Sequence, residues 1–219
     1  MIAVVGQPAL RDSSPPSAGG RASEVAIEAV RCGSRVELIG TCGEDSAGDA
    51  LLLALAAAGV GHAATLRDPA RATPVIAAPP TDDGDAEPTA GPDATEYAHD
   101  SGHPTLDAAD VALGLAYLTS FAVLVVTDDV PPAALRAAIE AATFSGAHLV
   151  LLVADETPLP DGLPEAATAL AAPAADDEGA FGTLVGAYAA GLDLGATPAA
   201  AFADATGRSG WEALVTDRG

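Results

Sequence analysis

Lysine is missing altogether from this 219-residue sequence, and aromatic residues make up only 4% of it. The nine basic residues are all arginine and stand against 31 acidic ones, leaving a net charge of -22. A surface of that sign cannot displace the counterions of a phosphate backbone, so nucleic acid is excluded as a partner. The acidic residues are dispersed over the whole length instead of gathered in a tail. That is the pattern of a solvated surface, and salt-adapted or high-GC organisms produce it across their proteins. Cys32 and Cys42 are the only cysteines, too few for a disulfide framework, and both are expected to stay reduced. No charged leader with a long apolar run opens the chain, and no span of about 20 apolar residues follows, so the expectation is a cytoplasmic protein with no membrane partner.

What is present is small and aliphatic. Hydrophobic residues make up 49%, so with few rings the core must be built from Ala, Val and Leu, which suits helices packed on a parallel sheet. The length fits one α/β domain spanning residues 1–219.

The pattern along the chain alternates. Ile2 to Gly6 reads as a buried strand, and Asp12 with the Ser-Ser-Pro-Pro segment as a loop. Apolar residues at three-to-four spacing make Gly20 to Arg31 a helix ending at Gly33, with Val36 to Ile39 the next strand. Ser46 to Ala58 reads as a helix and Ala63 to Leu66 as a short strand. Thr73 to Ala78 reads as a strand before Pro79-Pro80 and a turn-rich run to about Pro104. Leu106 to Leu118 is predicted helical, Phe121 to Thr127 a strand, Pro131 to Phe144 a helix with Asp128 or Asp129 near its cap, and His148 to Ala154 a strand. A short strand at Thr168 to Ala172 and helices over about Gly179 to Leu194 and Pro198 to Gly207 end the pattern. Strand-helix alternation of this kind implies a doubly wound, mainly parallel sheet with helices on both faces.

Two stretches carry motifs. Near the front, Gly19-Gly20-Arg-Ala-Ser-Glu24 opens the first helix, and Gly43-Glu-Asp45-Ser-Ala-Gly48 opens the second. Near the end, Asp176-Asp177-Glu178-Gly179-Ala180-Phe181-Gly182 precedes a helix. Together they resemble the PfkB, or ribokinase-like, carbohydrate kinases, whose pattern is a Gly-Gly pair, an Asn, a Gly-x-Asp-x-x-Gly turn and a late Asp-Thr-x-Gly-Ala-Gly-Asp. The likeness covers residues 1–66 and 105–219. It implies a ribokinase-like fold with a reduced β-lid, of which residues 73–104 are the remnant and loop. It further implies ATP- and Mg²⁺-dependent phosphorylation of a sugar or nucleoside hydroxyl, and a homodimer paired through lid strands.

Several residues depart from that pattern. Glu24 stands where the family has Asn; it can still accept hydrogen bonds from hydroxyls, or serve only as a first-turn helix carboxylate. Gly182 aligns with the final Asp, the base that takes the proton from the sugar hydroxyl, and glycine cannot act as a base. Gly179, Ala180, Phe181 and Gly182 form the expected anion or nucleotide site at a helix N-terminus, with the Phe181 ring expected where phosphate should approach. Asp177 and Glu178 add carboxylates there, and Asp176, Asp177 or Glu178 are the substitutes for the base. The family's Asn-x-x-Glu magnesium-associated segment between Val150 and Asp176 is missing. A second register lays Ala172 to Glu178 on that segment, and both registers remove the base.

On the substrate side, Asp12, Gly19, Gly20 and Glu24 are the binding candidates. Asp12 reads equally as a loop cap, and Gly43, Asp45 and Gly48 read more strongly as a capped strand-to-helix turn. Asp155 and Glu156 could hold Mg²⁺ but read as solvated loop acids. His99 and His103 are four apart, yet Gly102 and Pro104 oppose the helix that would join them, so no metal site is expected. Trp211 reads as a packing anchor. The expected function is a PfkB-like kinase homologue with weakened or lost phosphotransfer and a sugar- or nucleoside-binding role. The alternatives are an active kinase with a non-standard acidic base and a structural or regulatory subunit. If only the base were lost, Gly182→Asp would restore turnover.

Overall fold

The structure, a computed structural model, describes residues 1–77, 102–154, 157–174, 176 and 179–209. The expectations on the turn-rich run from 78 to 101, on His99, Asp155, Glu156, Asp177, Glu178 and Trp211, and on the last ten residues lie outside them.

Nine strands and six helices are described: β1 (Ile2–Val5), β2 (Ala9–Arg11), β3 (Ser17–Gly19), α1 (Arg21–Arg31), β4 (Val36–Gly43), α2 (Ser46–Ala57), β5 (Thr65–Asp68) and β6 (Val75–Ile76), then α3 (Ala108–Tyr117), β7 (Val123–Val126), α4 (Pro132–Ser145), β8 (His148–Ala154), β9 (Thr168–Ala172), α5 (Ala180–Asp193) and α6 (Pro198–Ser209). Six strands form a sheet in the order β5-β4-β1-β7-β8-β9, with every pair parallel. The period-two alternation of each strand sorts its side chains onto two faces. Ile2, Val4, Leu38, Val123, Val125, Val150 and Leu152 point toward α1, α2, α5 and α6. Ala3, Val5, Ile39, Leu124, Val126, Leu149 and Leu151 pack against α3 and α4. The doubly wound α/β architecture expected from the alternation is therefore the one observed.

Local chemistry sets the element ends. Asp45 caps α2, accepting the Gly48 N–H at 2.7 Å, as the turn reading requires. Asp107 and Asp110 form a reciprocal capping box on α3. α4 stops at Gly146, which adopts the left-handed conformation (φ 70°).

Three departures from the sequence reading bear on the site. Ala9–Arg11, which the sequence reading left unassigned, and Ser17–Gly19, which runs into the expected glycine turn, are strands of a second, three-stranded sheet in the order β3-β2-β6. Strands of three residues are too short to show a period. Asp128 and Asp129 do not cap α4, whose N-cap is Pro131 with no side-chain bond; both turn toward the sheet edge. Lastly, β8 passes to its parallel neighbour β9 through residues 155–167, and among the described residues of that connection there is no helix. Parallel neighbours are usually joined by a helical crossover, and the connection between β8 and β9 shows none among its described residues, in keeping with the shortening inferred from the sequence.

Candidate functional site

In a doubly wound sheet, ligands bind beyond the carboxyl ends of the strands where the strand order reverses. Here the chain leaves β1 toward β4 on one side and later returns to β7 on the other, so the reversal falls between β1 and β7. The residues just past those strands form a polar cluster. The Gln7 side chain donates to the Thr41 carbonyl at 2.6 Å and accepts from the Thr41 hydroxyl at 3.0 Å. The Gln7 backbone N–H and the Thr127 hydroxyl both donate to Asp129. Burial pushes the Asp129 carboxyl up to about 6, against the lowering effect of the Thr127 hydrogen bond.

Two helix N-termini converge on this edge. α1 begins after Gly20, whose positive φ of 81° lets the chain turn from β3 into the helix with no side-chain cap. Arg21, in its first turn, pairs with Asp128, donates to the Pro173 carbonyl at 3.1 Å and lies over the Phe181 ring, 5.6 Å from its centre. α5 begins after Gly179, itself left-handed at φ 67°. The backbone N–H groups of Phe181 and Gly182 both donate to the Asp176 carboxylate, at 3.1 and 3.2 Å. The chain's own carboxylate thus already holds two amides of the helix start at which an incoming anion is expected to dock.

Glu24 lies between the two helices. Its Oε1 accepts from Arg11 at 3.0 Å. A Cβ placed on Gly182 would come within 2.7 Å of the Glu24 Cβ and 2.9 Å of its Oε2, and one on Gly179 within 2.9 Å of its Cδ. Burial, and then the nearby Asp176 charge, raise the Glu24 carboxyl above its usual range, while Arg11 and Arg21 pull the other way. Beside it opens a cleft of about 520 Å³ along the outer face of α1, lined in part by Arg11, Glu24, Ile27, Glu28 and Thr183. A volume of that size lies within the range of small-molecule sites, about 300–1,000 Å³.

The residues expected from the sequence divide accordingly. Glu24, Asp176, Gly179 and Gly182 meet at one point, with Gly20 at the entry to α1. Asp12 is exposed at the end of β2, its backbone N–H bonded to the Ile76 carbonyl; its neighbour Arg11 is the residue that reaches Glu24. Gly19 is buried in β3 against Arg11 and Ile76. Ala180 is the first residue of α5. The Phe181 ring does not stand in the path of a phosphate: it is 3% exposed and packs into the core. His103 is half-buried, with Nδ1 3.1 Å from the Ala72 carbonyl. Gln7, Arg11, Arg21, Asp128 and Asp129 were not singled out as site residues by sequence; the reversal of strand order at the ends of the first and fourth sheet strands is the signal that marks three of them.

Four carboxyl groups, Glu24, Asp128, Asp129 and Asp176, face two guanidinium groups, Arg11 and Arg21. The arginines are already paired, and these pairs are only 16–29% exposed on their side chains, so salt screens them less than surface pairs. Such a site accepts hydroxyls and amides readily. As it stands it does not fit a nucleoside triphosphate at α5, because a phosphoryl group would have to displace Asp176 from the amides beside a second carboxyl group. Among the described residues, no group of three or more His, Cys, Asp or Glu side chains is arranged to hold a metal ion.

The wider comparisons agree with this fold. The Arabidopsis thaliana ribokinase, solved with ribose and ATP, superposes with a TM-score of 0.68 at 14% identity, over 95% of this chain and 90% of that one. A candidate ribokinase II from E. coli, solved with ATP and Mg²⁺, gives 0.64 at 14% identity over 93% and 89%. The fructokinase of Vibrio cholerae O395 gives 0.61 at 14% identity over 99% and 98%. Among curated proteins no sequence matches. At such identities the superpositions establish the fold, and the sequence profile described as pfkB family carbohydrate kinase matches residues 15–181, which include the Gly-Gly turn, α1, α2 and the start of α5. With the profile spanning most of the chain and the ribokinase-like fold around it, the chain belongs to the pfkB family of carbohydrate kinases.

Proposed function

We propose that this pfkB-family chain binds the hydroxyl groups of a sugar or nucleoside at the convergence of α1 and α5, and that phosphoryl transfer in the family's manner is weak or lost. The observation that carries this is the state of the α5 N-terminus. Two of its amides are held by Asp176, at 3.1 and 3.2 Å, and position 182 carries no side chain to act as base. A helix N-terminus attracts anions through its unpaired N–H groups and its dipole. Once a carboxylate has taken them, a triphosphate meets charge repulsion in place of that attraction. The polar groups around the site remain suited to a neutral polyol, since carboxylates accept hydroxyl hydrogen bonds and guanidiniums donate them.

The reading in which Asp176 replaces the base is disfavoured by the same contacts, because its carboxylate is already engaged by two backbone N–H groups of the helix start and is not turned to a ligand hydroxyl. ATP and Mg²⁺ remain the cofactors to test, as the family's chemistry requires. The decisive experiment measures ADP release from Mg-ATP with a pooled panel of sugars and nucleosides, at low and at molar KCl, beside calorimetric binding of the same panel without nucleotide. Saturable binding of a polyol with little or no ligand-dependent ADP release is expected. Robust ligand-dependent release would overturn the proposal.

A further inference from the structure

Gly182 and Glu24 are two departures from one motif pair, and the structure puts them in the same volume. A Cβ at 182 would sit 2.7 Å from the Glu24 Cβ and 2.9 Å from Oε2, closer than real side-chain atoms approach one another. The Glu24 side chain therefore occupies the space that any residue-182 side chain would enter. We infer that positions 24 and 182 form an exchanged pair, in which the site's hydroxyl-accepting carboxylate is delivered from α1 by Glu24 instead of from α5. Gly182 is then the steric condition for Glu24. This inference rests on the polyol-binding proposal for its ligand but not for its geometry.

Three further observations support the assignment. Only Oε1 of Glu24 is taken up by Arg11, at 3.0 Å, while Oε2 is the oxygen turned toward Gly182. Gly179, on the other side of the carboxyl group, is likewise without a side chain, and a Cβ there would come within 2.9 Å of the Glu24 Cδ. Glu24 also lines the 520 Å³ cleft, so a ligand can reach it. The charged groups facing it are Arg11 from β2, Arg21 from its own helix and Asp176 from the segment before α5. One consequence concerns Gly182→Asp: restoring the family residue alone would drive a second carboxyl group into an occupied volume. It would damage the site it is meant to repair.

A cycle of wild type, Glu24→Asn, Gly182→Asp and the double variant tests the exchange, with Glu24→Gln added because it keeps the shape of Glu24. In thermal melts Gly182→Asp alone lowers the midpoint by about 5 °C or more, as overpacking does, and Glu24→Asn on top of it recovers most of the loss. Strictly additive midpoints would overturn the exchange. Calorimetric titrations with a panel of pentoses, hexoses and ribonucleosides at pH 5 to 8 test the role. Glu24→Asn and Glu24→Gln should each weaken the best-bound member about tenfold, the loss of one hydrogen bond to a charged acceptor. The double variant should return to within about threefold of wild type. Wild-type affinity should rise with pH as Glu24 ionises, and in Glu24→Gln that rise should shrink to the part owed to Asp129. Affinity and pH profile unchanged in Glu24→Gln would overturn the role. A wild type that binds no member of the panel overturns the polyol proposal and the hydroxyl role together, and the melts still decide the exchange.

Discussion

Asp129 and Asp176 show how differently two acids of one site are held. Asp129 is raised to about 6 by burial. Its folded value lies above the unfolded one, so the stabilisation it gives is complete below about pH 4 and is lost once the pH passes about 6. Between pH 4 and 7 the unfolding free energy of the wild type should therefore fall by about 2 kcal/mol more than that of Asp129→Asn, measured by urea melts at both pH values. Asp176 has a different task, as the acceptor for the Phe181 and Gly182 amides. Asp176→Ala should cost about 1–2 kcal/mol, the usual loss for removing a side chain that bonds the first amides of a helix, and the same melts check it. It should also free the start of α5, so inorganic phosphate or ADP should raise the melting midpoint of that variant more than that of the wild type.

At the scale of elements, the turn from β4 into α2 is the best determined part of the front half. Asp45 accepts the Gly48 N–H at 2.7 Å, the Thr73 N–H at 2.9 Å and the Thr73 hydroxyl at 2.7 Å. Burial works against its ionised form, yet these bonds hold its carboxyl below the usual range. Through Thr73 one side chain ties the large sheet to the chain entering β6. Asp45→Ala should cost about 2–3 kcal/mol, more than a simple cap, because three donors lose their acceptor. Hydrogen exchange should show the first turn of α2 and the β6 segment losing protection together. This turn was legible in the sequence, since glycine, aspartate and glycine at that spacing describe a capped entry. The large sheet was legible too, because each buried strand and each amphipathic helix writes its own period. The small sheet was only partly so: β6 falls within the strand read at Thr73 to Ala78, whereas β2 and β3 are three residues long, too short to show a period, and β2 finds its partner β6 far along the chain. The candidate site was half legible. Glu24, Gly179 and Gly182 stand out through motif position, but that Glu24 fills the place of a side chain at 182 is a fact of three dimensions. Gln7 and Asp129 gain their meaning only when β1 and β7 are known to be neighbours. Phe181 misled because a residue's name does not say to which side of the backbone its ring will turn.

On the scale of the whole molecule, charge dominates. A net charge of -22 on 219 residues repels itself in the compact state, and seven ion pairs among the described residues offset only part of it. Most of that repulsion acts between exposed groups and is screened over about 3 Å at 1 M salt against about 10 Å at 0.1 M. The melting midpoint should therefore climb by several degrees between 0.1 and 1 M KCl, and an equal concentration of an uncharged osmolyte should not reproduce the full climb; differential scanning fluorimetry or calorimetry reads both.

The position of β1 has a consequence for how the chain acquires its structure. Its first strand sits in the middle of the sheet, paired on one side with β4 and on the other with β7, Ile2 against Val36 and against Val123. The first pairing closes a short loop. The second joins residues about 120 positions apart, and such distant contacts are slow to form because the intervening chain must first lose its freedom. As the ribosome delivers the chain, the early strands and α1 therefore wait with one edge of β1 open until β7 has emerged. Ala3 and Val5 spend that interval without the partners that later bury them. Synthesis rate through the turn-rich middle of the chain, and any chaperone acting there, would then govern the yield of native protein more than the strength of any single contact in the finished fold.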